Sequence, residues 1–125
     1  MTTSIRIRGE IPFPQAGEGV YLRFTNPDCD QLQGKFGENW FADAVPRLNR
    51  VDTLYLRNCL AFGGKKDGKP FRIDYDTLDC PMGDMLDAVL DALFLAVHGR
   101  KFEDHLDYVA NVKKLEVADG DQGNG

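Results

Sequence analysis

Between Pro81 and Gly99 nearly every position is apolar, and the polar residues Asp84, Asp87, Asp91 and His98 recur at i, i+3, i+7 and i+14. On a helix that spacing gathers them into one narrow stripe and leaves the rest of the circumference to be buried. Pro81 suits a first helical position, Asp84 and Asp87 lie near the positive end of the dipole, and Gly99 can supply a left-handed cap. The pattern predicts a central core helix over 81–98. Three acids within it argue against a membrane span, since each Asp near a bilayer centre costs roughly 2.5 to 3.5 kcal/mol.

The N-terminal part has the other period. Ile5, Ile7, Ile11 and Phe13 share one parity, and after the loop Gln15–Gly19 the alternation resumes with Val20, Leu22 and Phe24 against Tyr21, Arg23 and Thr25. These read as a β-hairpin whose first strand is made an edge by Pro12 and Pro14. A proline-marked edge of this kind is a candidate for strand addition by a partner.

Helical spacing follows. Asn26-Pro27-Asp28 reads as a helix start, with Cys29, Leu32 and Phe36 on one face and Gly37 as the stop. A second helix is expected over 38–49, with Asp43 and Arg47 as an i, i+4 pair and a kink or restart at Pro46. Asp52 should cap a third, ending at Gly63-Gly64. After the polar loop 65–70, alternation of Phe71, Ile73 and Tyr75 predicts a third short strand or extended segment, and an amphipathic helix is expected from about Lys101 to Lys114.

The expected fold class is α+β: an N-terminal β-hairpin, with a third short strand allowed, packed against four or five α-helices. Residues 1–114 are expected to form a single domain and 115–125 a disordered tail. A chain of 125 residues with 42% hydrophobic residues has room for one core and no second domain of ordinary size.

A net charge of −5 argues against non-specific nucleic-acid binding, which needs clustered Lys and Arg. Cys29, Cys59 and Cys80 are odd in number and lack metal-ligand spacing, so reduced thiols in a cytoplasmic protein are expected. Met1–Arg8 carries no apolar signal region.

Candidate chemistry is sparse. Gly63-Gly64-Lys65-Lys66-Asp67-Gly68-Lys69 fits G-x-x-x-x-G-K, but Pro70 stands where a Ser or Thr should reach magnesium, so an exposed turn is the better account. The Asp84, Asp87 and Asp91 stripe with His98 does not converge on one ion, and a solvated face is expected rather than a metal site. His98 and His105 have no nucleophile or orienting partner in view. No catalytic residue, cofactor or metal is therefore expected, and the protein is read as a non-enzyme. What remains is surface: Tyr21, Arg23, Trp40, Phe41 and Tyr55 include the residue types enriched at binding hot spots. Surplus apolar area among Leu54, Leu56, Phe94 and Leu95 would favour a homo-oligomer.

Gly9-Glu10 on a first strand, Tyr21-Leu22-Arg23-Phe24-Thr25 on a second, and a short helix closing with Leu32-Gln33-Gly34-Lys35-Phe36-Gly37 before several apolar helices together resemble the small tail assembly chaperones of tailed phages and gene transfer agents. Gln33 stands where that family carries Glu, and Ile11-Pro12-Phe13-Pro14 lengthens the hairpin loop. The resemblance implies a non-enzymatic cytoplasmic protein that coats the tape measure protein, recruits tail tube subunits and is absent from the finished tail. It also implies a longer form made by ribosomal frameshifting. The alternatives are a structural virion subunit (tail tube or head–tail joining protein) and a small metal-dependent enzyme using the Asp stripe.

Overall fold

A computed structural model describes residues 9–124, with side chains described for residues 9–115. Two hairpins form one antiparallel sheet: β1 (Ile11–Pro12), β2 (Val20–Leu22), β3 (Gly64–Lys66) and β4 (Lys69–Pro70), in spatial order β1-β2-β3-β4. Helices α1 (Asn26–Phe36), α2 (Ala44–Asn49) and α3 (Thr53–Gly63) lie between the hairpins in sequence, and α4 (Met82–His98) and α5 (Phe102–Asn124) follow them. The fold is α+β, with five helices beside a four-stranded sheet among the described residues.

The first hairpin obeys its parity. Ile11, Phe13, Val20, Leu22 and Phe24 are buried, while Arg23 is exposed. Ile5 and Ile7 lie outside the described residues. The chain between the strands makes a short helical turn at Pro14–Ala16, and the Phe13 amide donates to Val20 at 2.9 Å. Since Ile11 pairs with Leu22 and Pro12 with Tyr21, alternation of the ladder turns the Pro12 nitrogen away from β2. Proline has no N–H to offer there, so the edge expected to accept an added strand has lost the donor that addition needs.

The largest departure from the sequence reading is the second hairpin. Residues 65–70 read as a loop from sequence and 71–75 as a short strand or extended segment, yet it is Gly64–Lys66 that pairs with β2 and Lys69–Pro70 that closes the sheet. Asp67 and Gly68 turn the chain at φ of 53° and 77°, the positive values that a two-residue hairpin loop requires. Beyond Phe71, whose amide still reaches Gly64, the chain leaves the sheet; Ile73 is buried, and Tyr75–Thr77 forms a short helical turn capped by Asp74.

Gly63 and Gly64 are needed for space rather than for an unusual φ. A Cβ on Gly63 would lie 2.6 Å from the Phe24 ring, and one on Gly64 would strike the Phe71 carbonyl and lie 2.8 Å from Ile73. This close approach lets α3 hand the chain directly to the sheet, where the Arg23 amide donates to the Gly63 carbonyl at 2.9 Å.

Helix boundaries follow local caps. Thr25, not Asn26, caps α1 through a reciprocal box in which the Thr25 hydroxyl accepts from the Asp28 amide and the Asp28 carboxylate accepts from the Thr25 amide. The helix expected over 38–49 begins only at Ala44, because residues 38–43 form turns that place Pro46 within the first helical turn. Arg47 pairs with Asp52 at 3.4 Å rather than with Asp43, and its guanidinium lies over the Phe36 and Tyr55 rings. Asp52 caps α3 by accepting from the Tyr55 amide, as expected.

The central helix α4 ends in a left-handed Gly99 at φ 73°. Met85, Val89, Ala92, Leu93 and Phe94 are buried, while Asp84 and Asp87 face solvent. Its last turn emerges from the core, since Ala96, Val97 and His98 are exposed. The α5 backbone is helical through Asn124, across the stretch 115–124 for which no order was expected; side chains from 116 onward lie outside the described residues. Among the described residues no helix is long and apolar enough to cross a membrane.

Candidate interaction surface

The five residues proposed from sequence do not form one surface. Tyr55 is fully buried, and its hydroxyl donates to the Trp40 carbonyl at 2.7 Å, so it is a core residue unavailable to a partner. Burial holds its phenol far above the usual range, consistent with a permanently neutral donor. Tyr21 and Arg23 lie on the sheet; the Tyr21 hydroxyl accepts from the Gly68 amide at 3.1 Å and braces the second hairpin, while Arg23 is exposed. Trp40 and Phe41 occupy the turn before α2, half-buried and edge to face at 5.7 Å.

Phe41 leads to a cluster that the sequence reading did not assemble. Its ring lies 5.1 Å from Phe94 and 5.4 Å from His98, and Phe94 in turn meets Phe102 at 5.0 Å and His105 at 5.5 Å. His98 and His105 stack with centroids 3.9 Å apart and planes 11° from parallel. The sequence signal was present in the apolar face that Phe94 and His98 share at i, i+4 and in the matching Phe102 and His105 at i, i+3. Only the tight Gly99-Arg100-Lys101 link makes those faces meet.

Asp91 secures the same seam by accepting from the Phe102 amide at 3.1 Å. This carboxylate of the expected solvated stripe is thus a cap for α5, beside an open cleft of about 410 Å³ rimmed by Asp87, Glu103 and Asp104. Farther along α5, Leu106, Tyr108 and Leu115 are exposed, and the Arg100 guanidinium covers the Tyr108 ring at 3.7 Å. Leu54 on α3 is also exposed, whereas Leu56 and Phe94 are buried and Leu95 is half-buried.

The phosphate-loop-like stretch has another purpose. Lys65 is buried, and its ammonium donates to the Asp28 carboxylate at 2.8 Å and to the Phe62 carbonyl at 2.9 Å, tying β3 to α1. Among the described residues no three His, Cys, Asp or Glu side chains are grouped so as to hold a metal ion. The three cysteines are free thiols, and burial raises each above the ordinary value, Cys59 furthest.

Among the described residues, the buried polar ends of Lys65 and Tyr55 bind within the fold, and the large exposed apolar side chains lie on α5, at the end of α4 and around the start of α3. Compared with family models, curated proteins and solved structures, the chain matches none of them.

Proposed function

We propose that the protein is a non-enzymatic, cytoplasmic assembly chaperone for a phage-type tail, binding the tape measure protein and recruiting tail tube subunits. The observation that carries the reading is the exposed pair Tyr108 and Leu115, which share one row of α5 at i, i+7 and offer an apolar strip of the kind that lies against a long helical partner. It is supported by the resemblance of Tyr21–Thr25 and Leu32–Gly37, which fall on β2 with its continuation and on the close of α1. Tyr21, Arg23, Trp40 and Phe41 are the secondary contact candidates, while Tyr55 is withdrawn because it is buried.

The test is quantitative mass spectrometry of purified particles against the lysate that produced them. A chaperone is abundant in lysate and missing from particles. Stoichiometric retention in particles would replace this reading with that of a tube or head–tail joining subunit.

A further inference from the structure

We propose that the stacked imidazoles of His98 and His105 form a proton-operated latch, holding the first turns of α5 on α4 when neutral and releasing them on acidification. This inference does not depend on the tail-assembly reading. The ring planes lie within 11° of parallel with centroids 3.9 Å apart, bordered by Phe41 and Phe94, with Tyr108 6.2 Å beyond His105 and the outer side of His98 open to solvent. Neutral imidazoles stack favourably in such a setting, whereas two imidazolium rings there would place like charges face to face.

Three observations make a proton unwelcome. His105 Nδ1 is sealed from solvent and has no hydrogen-bond partner, so imidazolium formation would leave a buried N–H with no acceptor. The link supplies another cation, Arg100, whose guanidinium donates to the His98 carbonyl at 3.1 Å. Burial, then His105, then Arg100, all hold His98 below its ordinary value of 6.5. The neutral form is thus favoured in the folded state, and its stabilisation is complete above about pH 6.5 and is lost as pH falls through the depressed value.

Among the described residues, the charged and titratable groups around the pair offer no compensating acid contact to either ring. On α4, Asp91 is engaged by the Phe102 amide; on α5, Glu103, Asp104 and Asp107 are exposed and Tyr108 is covered by Arg100; in the link, Lys101 is exposed; and the turn before α2 contributes the Phe41 ring. A metal ion is a poorer occupant than a proton. Rings in parallel planes 3.9 Å apart cannot both direct an in-plane lone pair at one ion.

The experiment is amide hydrogen exchange, expressed as protection factors to remove the intrinsic pH effect, at pH values of about 7.5 and 5. The amides of residues 105–109, the first of which donates to the Lys101 carbonyl, should lose protection on the order of tenfold at the lower pH, while those of residues 89–93 in the buried part of α4 keep theirs. His105→Phe, which retains a ring without a charge, should abolish the pH effect. His98→Gln, at an exposed position, should diminish it by removing one of the two facing charges, and covers the case in which the Phe variant does not fold. Equal protection at both pH values in the wild type, or an undiminished pH effect in His98→Gln, would overturn the latch.

Discussion

Replacing Asp28 should harm the protein far more than replacing Lys65, although the two share one ion pair. The Lys65 side chain is 9% exposed and that of Asp28 18%. Asp28→Asn keeps an amide oxygen as acceptor but removes the counter-charge, leaving the buried Lys65 ammonium with neutral acceptors alone, and it weakens the Thr25 capping box. Breaking a buried pair in this way costs roughly 3–5 kcal/mol, and the residual water contact of Asp28 places the expected loss near the lower end, about 3 kcal/mol. Lys65→Met keeps an unbranched apolar stem and removes the buried charge, while the Asp28 carboxylate retains the Thr25 amide and some solvent. Its expected loss is about 1 kcal/mol or less. Urea unfolding at neutral pH reads both as midpoint shifts at constant slope. The double variant should recover most of the Asp28→Asn loss, because no uncompensated cation remains. If Lys65→Met destabilises as much as Asp28→Asn, or the double variant is no better than Asp28→Asn, the assignment of Lys65 as a buried, dependent charge is wrong.

Other substitutions probe the packing directly. Gly64→Ala should lose about 3 kcal/mol or fail to accumulate, since its Cβ would meet the Phe71 carbonyl and Ile73. Gly34→Ala, with open space around it on α1, should instead gain up to about 1 kcal/mol, both read by thermal melting. Leu93→Ala, at a fully buried position of α4, should lose about 2–5 kcal/mol in urea unfolding. In native protein at neutral pH, a thiol reagent should modify the partly exposed Cys29 and Cys80 well before Cys59, and denaturation should equalise all three.

What could be read from the sequence divides along physical lines. α4 announces itself because a one-sided polar stripe, Pro81 and Gly99 all point to the same helix, and Asp52 and Gly37 punctuate their helices without help from tertiary structure. The second hairpin was hidden because Lys65, Lys66, Lys69 and Pro70 show no apolar alternation. Its pairing rests on backbone bonds to β2, on a lysine whose ammonium finds Asp28, and on an Asp67-Gly68 turn that reads equally well as a loop. Glu38–Asp43 looked helical because Trp40 and Phe41 are apolar, but Gly37 at φ 91° redirects the chain and both rings pack sideways. At the candidate surface, residue type marked Tyr55 as an anchor when its polar tip serves the core, and the His98–His105 stack depends on a helix crossing that no local pattern specifies.

The central claim is that this chain acts through a long helical partner. The most direct measurement is capture of the tagged protein from cells co-expressing the neighbouring reading frames, followed by mass spectrometry and repeated with Tyr108→Asp and Leu115→Asp, which share one exposed row of α5. The account predicts retention of one very long helical protein or a tube subunit by the wild type, and its loss in the variants while their melting temperature stays unchanged. A folded wild-type monomer that retains neither, or retention unaffected by the two α5 substitutions, would contradict it.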